Sequence, residues 1–259
     1  MFKSMAFILI LLSIKIARAD EIDTLSNKIL GNDLANKFSY YQPTYFIFGK
    51  DDLKLQFSGK YRLAKNLNLY AGFTQTMFWS IYYTSQPFKD INYNPELFYR
   101  IVDKRYNFLK SLDLGFIHTS NGKDADASRS INRIYAKVNL ASKVGRYHLI
   151  GDLMVYDIIT KENNNKDIKK YLGFWDFTLS MTNLIVHNNK SLNLEVRIFA
   201  GDKIFNTNKG GRSIGLIYRI VSDDFNPAFY LQYYSGHAEN LLGYNKNSDQ
   251  VRLGLTLLL

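Results

Sequence analysis

The sequence predicts an all-β fold, a transmembrane antiparallel β-barrel of twelve strands. Three observations predict it: an apolar leader, a period-two alternation along most of the remaining chain, and tyrosines gathered near the ends of the alternating segments. The composition alone points elsewhere. Of 259 residues 46% are apolar, yet the mean hydropathy is slightly negative. The longest apolar run, Ala6 to Ile14, is too short for the ~20 residues a spanning helix needs. The chain has no cysteine. That excludes a disulfide scaffold, a thiolate metal site, a cysteine nucleophile and a lipid anchor on an N-terminal cysteine.

The leader comes first. Lys3 precedes the apolar run, and Ala17-Arg18-Ala19 follows it with small residues three and one positions before a cut. Residues 1–19 therefore read as a secretory signal peptide, because Lys15 and Arg18 would interrupt a buried helix. Cleavage would remove three basic residues and no acid, leaving 30 Lys and Arg against 23 Asp and Glu. This basic excess suits anionic headgroups better than nucleic acid, since an exported chain rarely meets nucleic acid and no basic motif is present. Residues 20–40 are expected to form an N-terminal periplasmic segment, and 41–259 the barrel.

Twelve segments follow, near residues 41–48, 53–62, 67–82, 91–103, 109–120, 130–142, 146–158, 171–183, 191–202, 211–221, 227–236 and 250–259. In the last, Val251, Leu253, Leu255, Leu257 and Leu259 share one face, with Arg252, Gly254, Thr256 and Leu258 on the other. In the third, Leu67, Leu69, Ala71 and Phe73 oppose Asn68, Tyr70, Gly72 and Thr74. Alternate residues of a strand point to opposite faces, so each segment has one apolar side. Ala64-Lys65-Asn66, Lys143-Val144-Gly145 and His187-Asn188-Asn189 are turn-like breaks.

Two architectures bury such strands: a soluble sandwich or barrel with its apolar face inside, and a membrane barrel with that face outside. Export, the tyrosine-rich strand ends and segments of about 10–12 residues favour the second. The even strand count agrees with a closed bacterial barrel, which satisfies every backbone group in lipid.

Polar residues interrupt the apolar face at one place. Leu112, Leu114 and Phe116 share a face that continues to His118 and Ser120. On the next strand Asn132 shares a face with Ile134, Ala136, Val138 and Leu140. The ends carrying these residues would be neighbours in an antiparallel pair. Serine needs an adjacent base to become a nucleophile, and histidine needs a third group to hold its ring. Asparagine can accept the imidazole N–H, without an aspartate's charge. The alternative is polar strand ends near headgroups. Gln75 is a second anomaly, because it continues the face of Leu67 to Phe73. A partner barrel packed against this strand would explain it, as would an inward register after a bulge.

These residues resemble a known family. His118-Thr119-Ser120-Asn121-Gly122 and Ser128-Arg129-Ser130-Ile131-Asn132-Arg133-Ile134-Tyr135 are similar to the signature of outer membrane phospholipase A of Gram-negative bacteria. That pattern runs His-x-Ser-Asn-Gly, then Ser-Arg-Ser-Trp-Asn-Arg-x-Tyr. Pro87-Phe88-Lys89-Asp90-Ile91-Asn92-Tyr93-Asn94-Pro95 and, near the C-terminus, Tyr234-Ser235-Gly236 and Tyr244-Asn245 also fit. The resemblance implies a twelve-stranded outer-membrane barrel that hydrolyses phospholipid acyl esters, as phospholipase A1, A2 and lysophospholipase. It implies a need for calcium and activity as a homodimer. Carried over, Ser120 is the nucleophile, His118 the base and then the acid, and Asn132 the group that orients His118. The Gly122 N–H joins calcium-bound water in the oxyanion hole. Calcium is held by the Ser128 hydroxyl and the Lys123 carbonyl, with a further ligand from the partner at the position of Ser85. Gln75 aligns with a glutamine in the family's dimer interface.

The sequence departs from that pattern in places. Ile131 replaces a tryptophan and is expected to point inward. Lys123 replaces an arginine. The stretch from Gln75 to Pro87 is about two residues short, and the chain ends on Leu259 instead of an aromatic. Two rival readings are a non-catalytic pore or structural barrel and a soluble exported β-sandwich.

Overall fold

The computed structural model describes residues 37–64, 66–102, 108–161, 163–187, 190–204, 208–220 and 227–257. The expected signal peptide 1–19, most of the segment 20–40, and Leu259 lie outside them. Thirteen strands follow one another: β1 Phe38–Tyr40, β2 Thr44–Gly49, β3 Leu53–Ala64, β4 Leu67–Trp79, β5 Phe88–Ile101, β6 Leu109–Ser120, β7 Ser130–Val144, β8 Tyr147–Lys161, β9 Trp175–His187, β10 Lys190–Phe199, β11 Gly211–Ile220, β12 Pro227–Gly236 and β13 Ser248–Leu257. β1 and β2 both pair with β3, so they share one barrel position, interrupted around Pro43. β13 pairs with β2 and closes the sheet, giving a closed antiparallel barrel of twelve positions.

The expected segments correspond to these strands with shifted ends. Pairing begins at Phe38, ahead of residue 41. Residues 171–172 belong to a short helix, Lys169–Leu172, and β9 starts at Trp175. β5 starts early because Phe88 pairs with Trp79 and stacks on its ring.

The burial pattern is inside out. Val251 and Leu253 are 59% and 56% exposed, while Arg252 between them is 1% exposed. Phe57, Phe73, Leu97, Leu114, Ile134 and Leu231 are likewise exposed, whereas Lys54, Arg100, Asp113 and Lys137 are buried in the lumen. An apolar wall around a polar interior is stable in hydrocarbon, not in water. Exposed Tyr61, Tyr99, Tyr218 and Phe229 ring one end, and Phe48, Tyr82, Tyr83 and Phe88 the other, as girdles at the two headgroup layers. No helix of the described residues is long and apolar enough to cross a membrane.

Inside, charges are paired. Arg100 donates twice to Asp113 at 2.8 Å. Arg252 donates to Asp52 at 2.8 Å and to Glu239 at 2.6 Å, and Lys54 lies 3.1 Å from Glu239. Unpaired, such buried charges would each cost several kcal/mol. Glu239 lies in the β12–β13 connection. Burial acts to raise its pKa, but Lys54 and Arg252 outweigh that and hold it down at about 2.

The longer connections, 80–87, 121–129, 162–174, 200–210 and 237–247, fall at one end of the barrel. Long loops mark the outward-facing end of such barrels. Two of them turn back into the mouth. Ile168, Leu241 and Tyr244 join Tyr70, Phe98, Ile117, Ile131, Tyr135, Tyr156 and Ile158 in one buried cluster. Ile131 is 1% exposed and faces inward, as its alternation predicts.

Candidate active site

β6 and β7 form the site because their register sets the expected polar residues side by side. His118 pairs with Asn132, and Ser120 with Ser130. His118 Nδ1 and Asn132 Oδ1 are 2.8 Å apart. An amide oxygen can only accept, so this contact puts the ring proton on Nδ1 and leaves the Nε2 lone pair free. Ser120 follows on the same outward face, about 6.6 Å along the strand. Among the described residues no hydrogen bond joins Ser120 to His118. Such catalytic contacts commonly tighten only when substrate binds. All three residues are half-buried at the rim, with exposed Phe116 and Ile134 on the wall below.

The loop after Ser120 is turned by Gly122, whose φ is +62°. A Cβ there would lie 3.0 Å from the Tyr93 ring, so glycine is favoured by the backbone conformation and any side chain would also crowd that ring. The Gly122 N–H and the Lys123 carbonyl take no hydrogen bond among the described residues. Ser128 ends a short 3-10 turn, Ala125–Ala127, that returns the chain toward β7. Lys123 and Ser128 are thus five residues apart in sequence with one turn between them. Ser85 is exposed in the β4–β5 loop at the same end of the barrel.

The loop is held from beneath by residues that the sequence reading did not single out. Asn121 is 3% exposed. Its Oδ1 accepts from the Arg129 N–H at 2.9 Å and the Lys123 N–H at 3.4 Å. Its Nδ2 donates to the Ala127 carbonyl at 2.9 Å and to Asp90 at 3.3 Å. The fully buried Asp90 carboxylate also accepts from Asn92 at 2.6 Å and from the Leu242 N–H at 2.9 Å. Asp90 therefore ties the Ser120 loop to the loop that fills the barrel mouth. Both residues stood inside the quoted family motifs, which were the only signal for them. On the far side, Asn164 donates to the Ala125 carbonyl at 2.8 Å and Asn165 to the Ser130 carbonyl at 3.0 Å.

Gln75 faces outward. Its pairing with Phe57 and Tyr93 is unbroken, and the β4–β5 bulge falls later, between Phe78 and Trp79. A row of cross-strand partners therefore runs over the outer wall from Gln75 through Tyr93 and Ser120 to Ser130.

No cluster of three or more His, Cys, Asp or Glu is present among the described residues. Within the 121–129 loop, which also carries Asp124 and Asp126, the unused Lys123 carbonyl beside the Ser128 turn is an oxygen donor of the kind that suits a hard ion such as calcium.

A closed antiparallel barrel with an apolar outer wall and a polar lumen defines a class, the integral β-barrel membrane proteins. The phospholipase A1 family profile matches residues 25–257. Phospholipase A1 of Salmonella typhimurium and that of Escherichia coli K12 are each 30% identical over 219 residues, covering 80% of this chain and 70% of theirs. The chain belongs to the phospholipase A1 family, enzymes that hydrolyse phospholipids at the outer membrane of Gram-negative bacteria. Its fold is similar to outer membrane phospholipase A from Escherichia coli, at a TM-score of 0.71 and 24% identity over 89% of this chain and 97% of that one. The outer membrane phospholipase of Salmonella typhi, solved as a dimer with bound calcium, superposes at a TM-score of 0.69 and 26% identity over 87% and 96%.

Proposed function

We propose that this enzyme cleaves phospholipid acyl esters with a Ser120-His118-Asn132 triad, in a calcium-dependent homodimer. The observation that carries the reading is the 2.8 Å contact between His118 and Asn132, with Ser120 on the same lipid-facing rim. Ser120 Oγ attacks the ester carbonyl of a lipid that arrives laterally from the bilayer, and His118 Nε2 takes the serine proton. Asn132 holds the ring through the charge change and stabilises the imidazolium by a charge-assisted hydrogen bond. The Gly122 N–H receives the developing oxyanion. His118 returns its proton to the departing lysolipid oxygen, and then activates the water that releases the fatty acid.

Calcium would be held by the Lys123 carbonyl and the Ser128 hydroxyl, with Ser85 of the partner subunit completing the site. When bound it supplies positive charge beside the oxyanion. Outward-facing Gln75 supports the dimer, since an amide in hydrocarbon needs a partner. Residues 1–19 serve as the export signal.

The test is hydrolysis of phospholipid vesicles by refolded protein across a calcium titration, with crosslinking of the same samples. Activity and crosslinked dimer should rise together with calcium. Full activity in chelator, or activity that peaks as monomer, contradicts the reading.

A further inference from the structure

The barrel wall opposite the triad carries a polar pocket that hydrolysis does not use. β12 lies six positions around the barrel from β6. At the long-loop end of that side, a cavity of about 400 Å³ opens among Asn208, Arg212, Tyr233, Ser235, Asn247 and Asp249. Four of these belong to the outward faces of their strands. Arg212 continues the face of exposed Ile214, Leu216 and Tyr218. Tyr233 and Ser235 continue that of Phe229 and Leu231, and Asp249 that of Val251, Leu253 and Leu255. Three apolar columns therefore end together in one cation, one anion and neutral donors, at the level of a headgroup layer.

The two charges stand apart. The register runs from Arg212 to Ser235 and from Ser235 to Asp249, one strand each. At about 4.8 Å per strand, their backbones are roughly 10 Å apart. The Asp249 carboxylate takes its hydrogen bonds from Asn247 at 2.7 Å, from Tyr233 at 3.4 Å and from Ser235, all neutral, and interacts with Arg212 only through space. A carboxylate with about four lone-pair sites keeps capacity for an ammonium, and a guanidinium presents a fork suited to phosphate.

We propose that this pocket seats the headgroup of a zwitterionic phospholipid of the phosphoethanolamine class, as a non-catalytic lipid site. Its phosphate sits on Arg212 and its ammonium on Asp249. A phosphate and an ammonium two carbons apart, with a hydrogen bond of about 2.8 Å at each end, reach over a length comparable to the roughly 10 Å between the two backbones. The acyl chains run down the wall over Ile214, Leu231 and Leu253. A lipid held there is half the barrel's circumference from Ser120. A purely anionic headgroup has no cation to offer Asp249, so the pocket discriminates by charge pattern as well as by total charge.

The test is native mass spectrometry of the full-length protein with diether lipids, which have no acyl ester and so report binding whether or not the triad reading holds. Wild type should retain diether phosphatidylethanolamine roughly ten-fold better than diether phosphatidylglycerol. Arg212→Gln should weaken both lipids. Asp249→Asn should weaken only the ethanolamine lipid and erase the preference. Free phosphoethanolamine at matched concentration should leave the bound lipid in place. Equal retention of both lipids by wild type, or retention unchanged in both variants, would overturn the proposal. Displacement by free phosphoethanolamine would overturn the lipid as its occupant.

Discussion

Replacing Asn132 with alanine removes the one group that accepts from His118 Nδ1. The contact is 2.8 Å long and joins directly paired residues of β6 and β7. In the resting enzyme it is a neutral hydrogen bond, worth about 0.5–1.5 kcal/mol net. In the proposed mechanism His118 becomes an imidazolium in the transition state, and the same contact becomes charge-assisted, worth about 1.5–3 kcal/mol. Only the difference lowers the barrel enzyme's activation barrier. That difference, with the loss of a fixed tautomer, predicts a fall in kcat of roughly 10- to 100-fold at nearly unchanged KM. Asn132→Asp works in the opposite sense. A carboxylate keeps the acceptor and adds a negative charge beside the imidazolium, so kcat should stay close to the wild-type value. The assay is phospholipid hydrolysis in mixed micelles, with circular dichroism to confirm the fold. Wild-type kcat in Asn132→Ala, or a kcat in Asn132→Asp as low as in Asn132→Ala, would refute the reasoning.

Further expectations concern the parts that hold the triad. Asp90→Ala should lower kcat several-fold while the barrel still forms, because it frees the Asn121 loop from the mouth loop; unchanged kinetics would remove Asp90 from the positioning network. Gly122→Ala places a Cβ at positive φ and 3.0 Å from Tyr93, so it should cost roughly 1–2 kcal/mol of local strain and most of the activity, read as a kcat loss in the same assay. Glu239 has a folded pKa of about 2, below its ordinary value of 4.5. Its contribution is therefore full above that ordinary value and is lost as pH falls toward the folded one, when protons bind the unfolded chain first. Urea unfolding midpoints should fall over that window in wild type, and Glu239→Gln should be destabilised by roughly 3 kcal/mol near neutral pH and lose this part of the pH dependence.

The barrel was legible in the sequence because lipid imposes one rule on every outward position. The column Val251, Leu253, Leu255 reads as a wall without knowledge of any neighbour, and so does Leu67 to Phe73. The candidate site stood out for the same reason, since His118, Ser120 and Asn132 break that rule together on adjacent strands. The supports were not legible. Asp90, Asn92 and Asn121 lie beneath the rim among buried polar side chains, where one more polar residue breaks no rule. The mouth was hidden for a different reason. Ile168, Leu241 and Tyr244 enter the core from loops with no period to read, and the apolar residues around Tyr171 imitate a strand where the chain forms one helical turn. Gln75 needed the register. Only continuous pairing through Phe57 and Tyr93 separates an outward glutamine from one turned inward by a bulge.

The central claim is that Ser120 is the nucleophile. Its direct measurement is calcium-dependent release of fatty acid from phospholipid vesicles by refolded Ser120→Ala beside wild type, with circular dichroism of both. The account predicts a native barrel that releases fatty acid at no more than about a thousandth of the wild-type rate. A folded Ser120→Ala barrel that hydrolyses at the wild-type rate would contradict it.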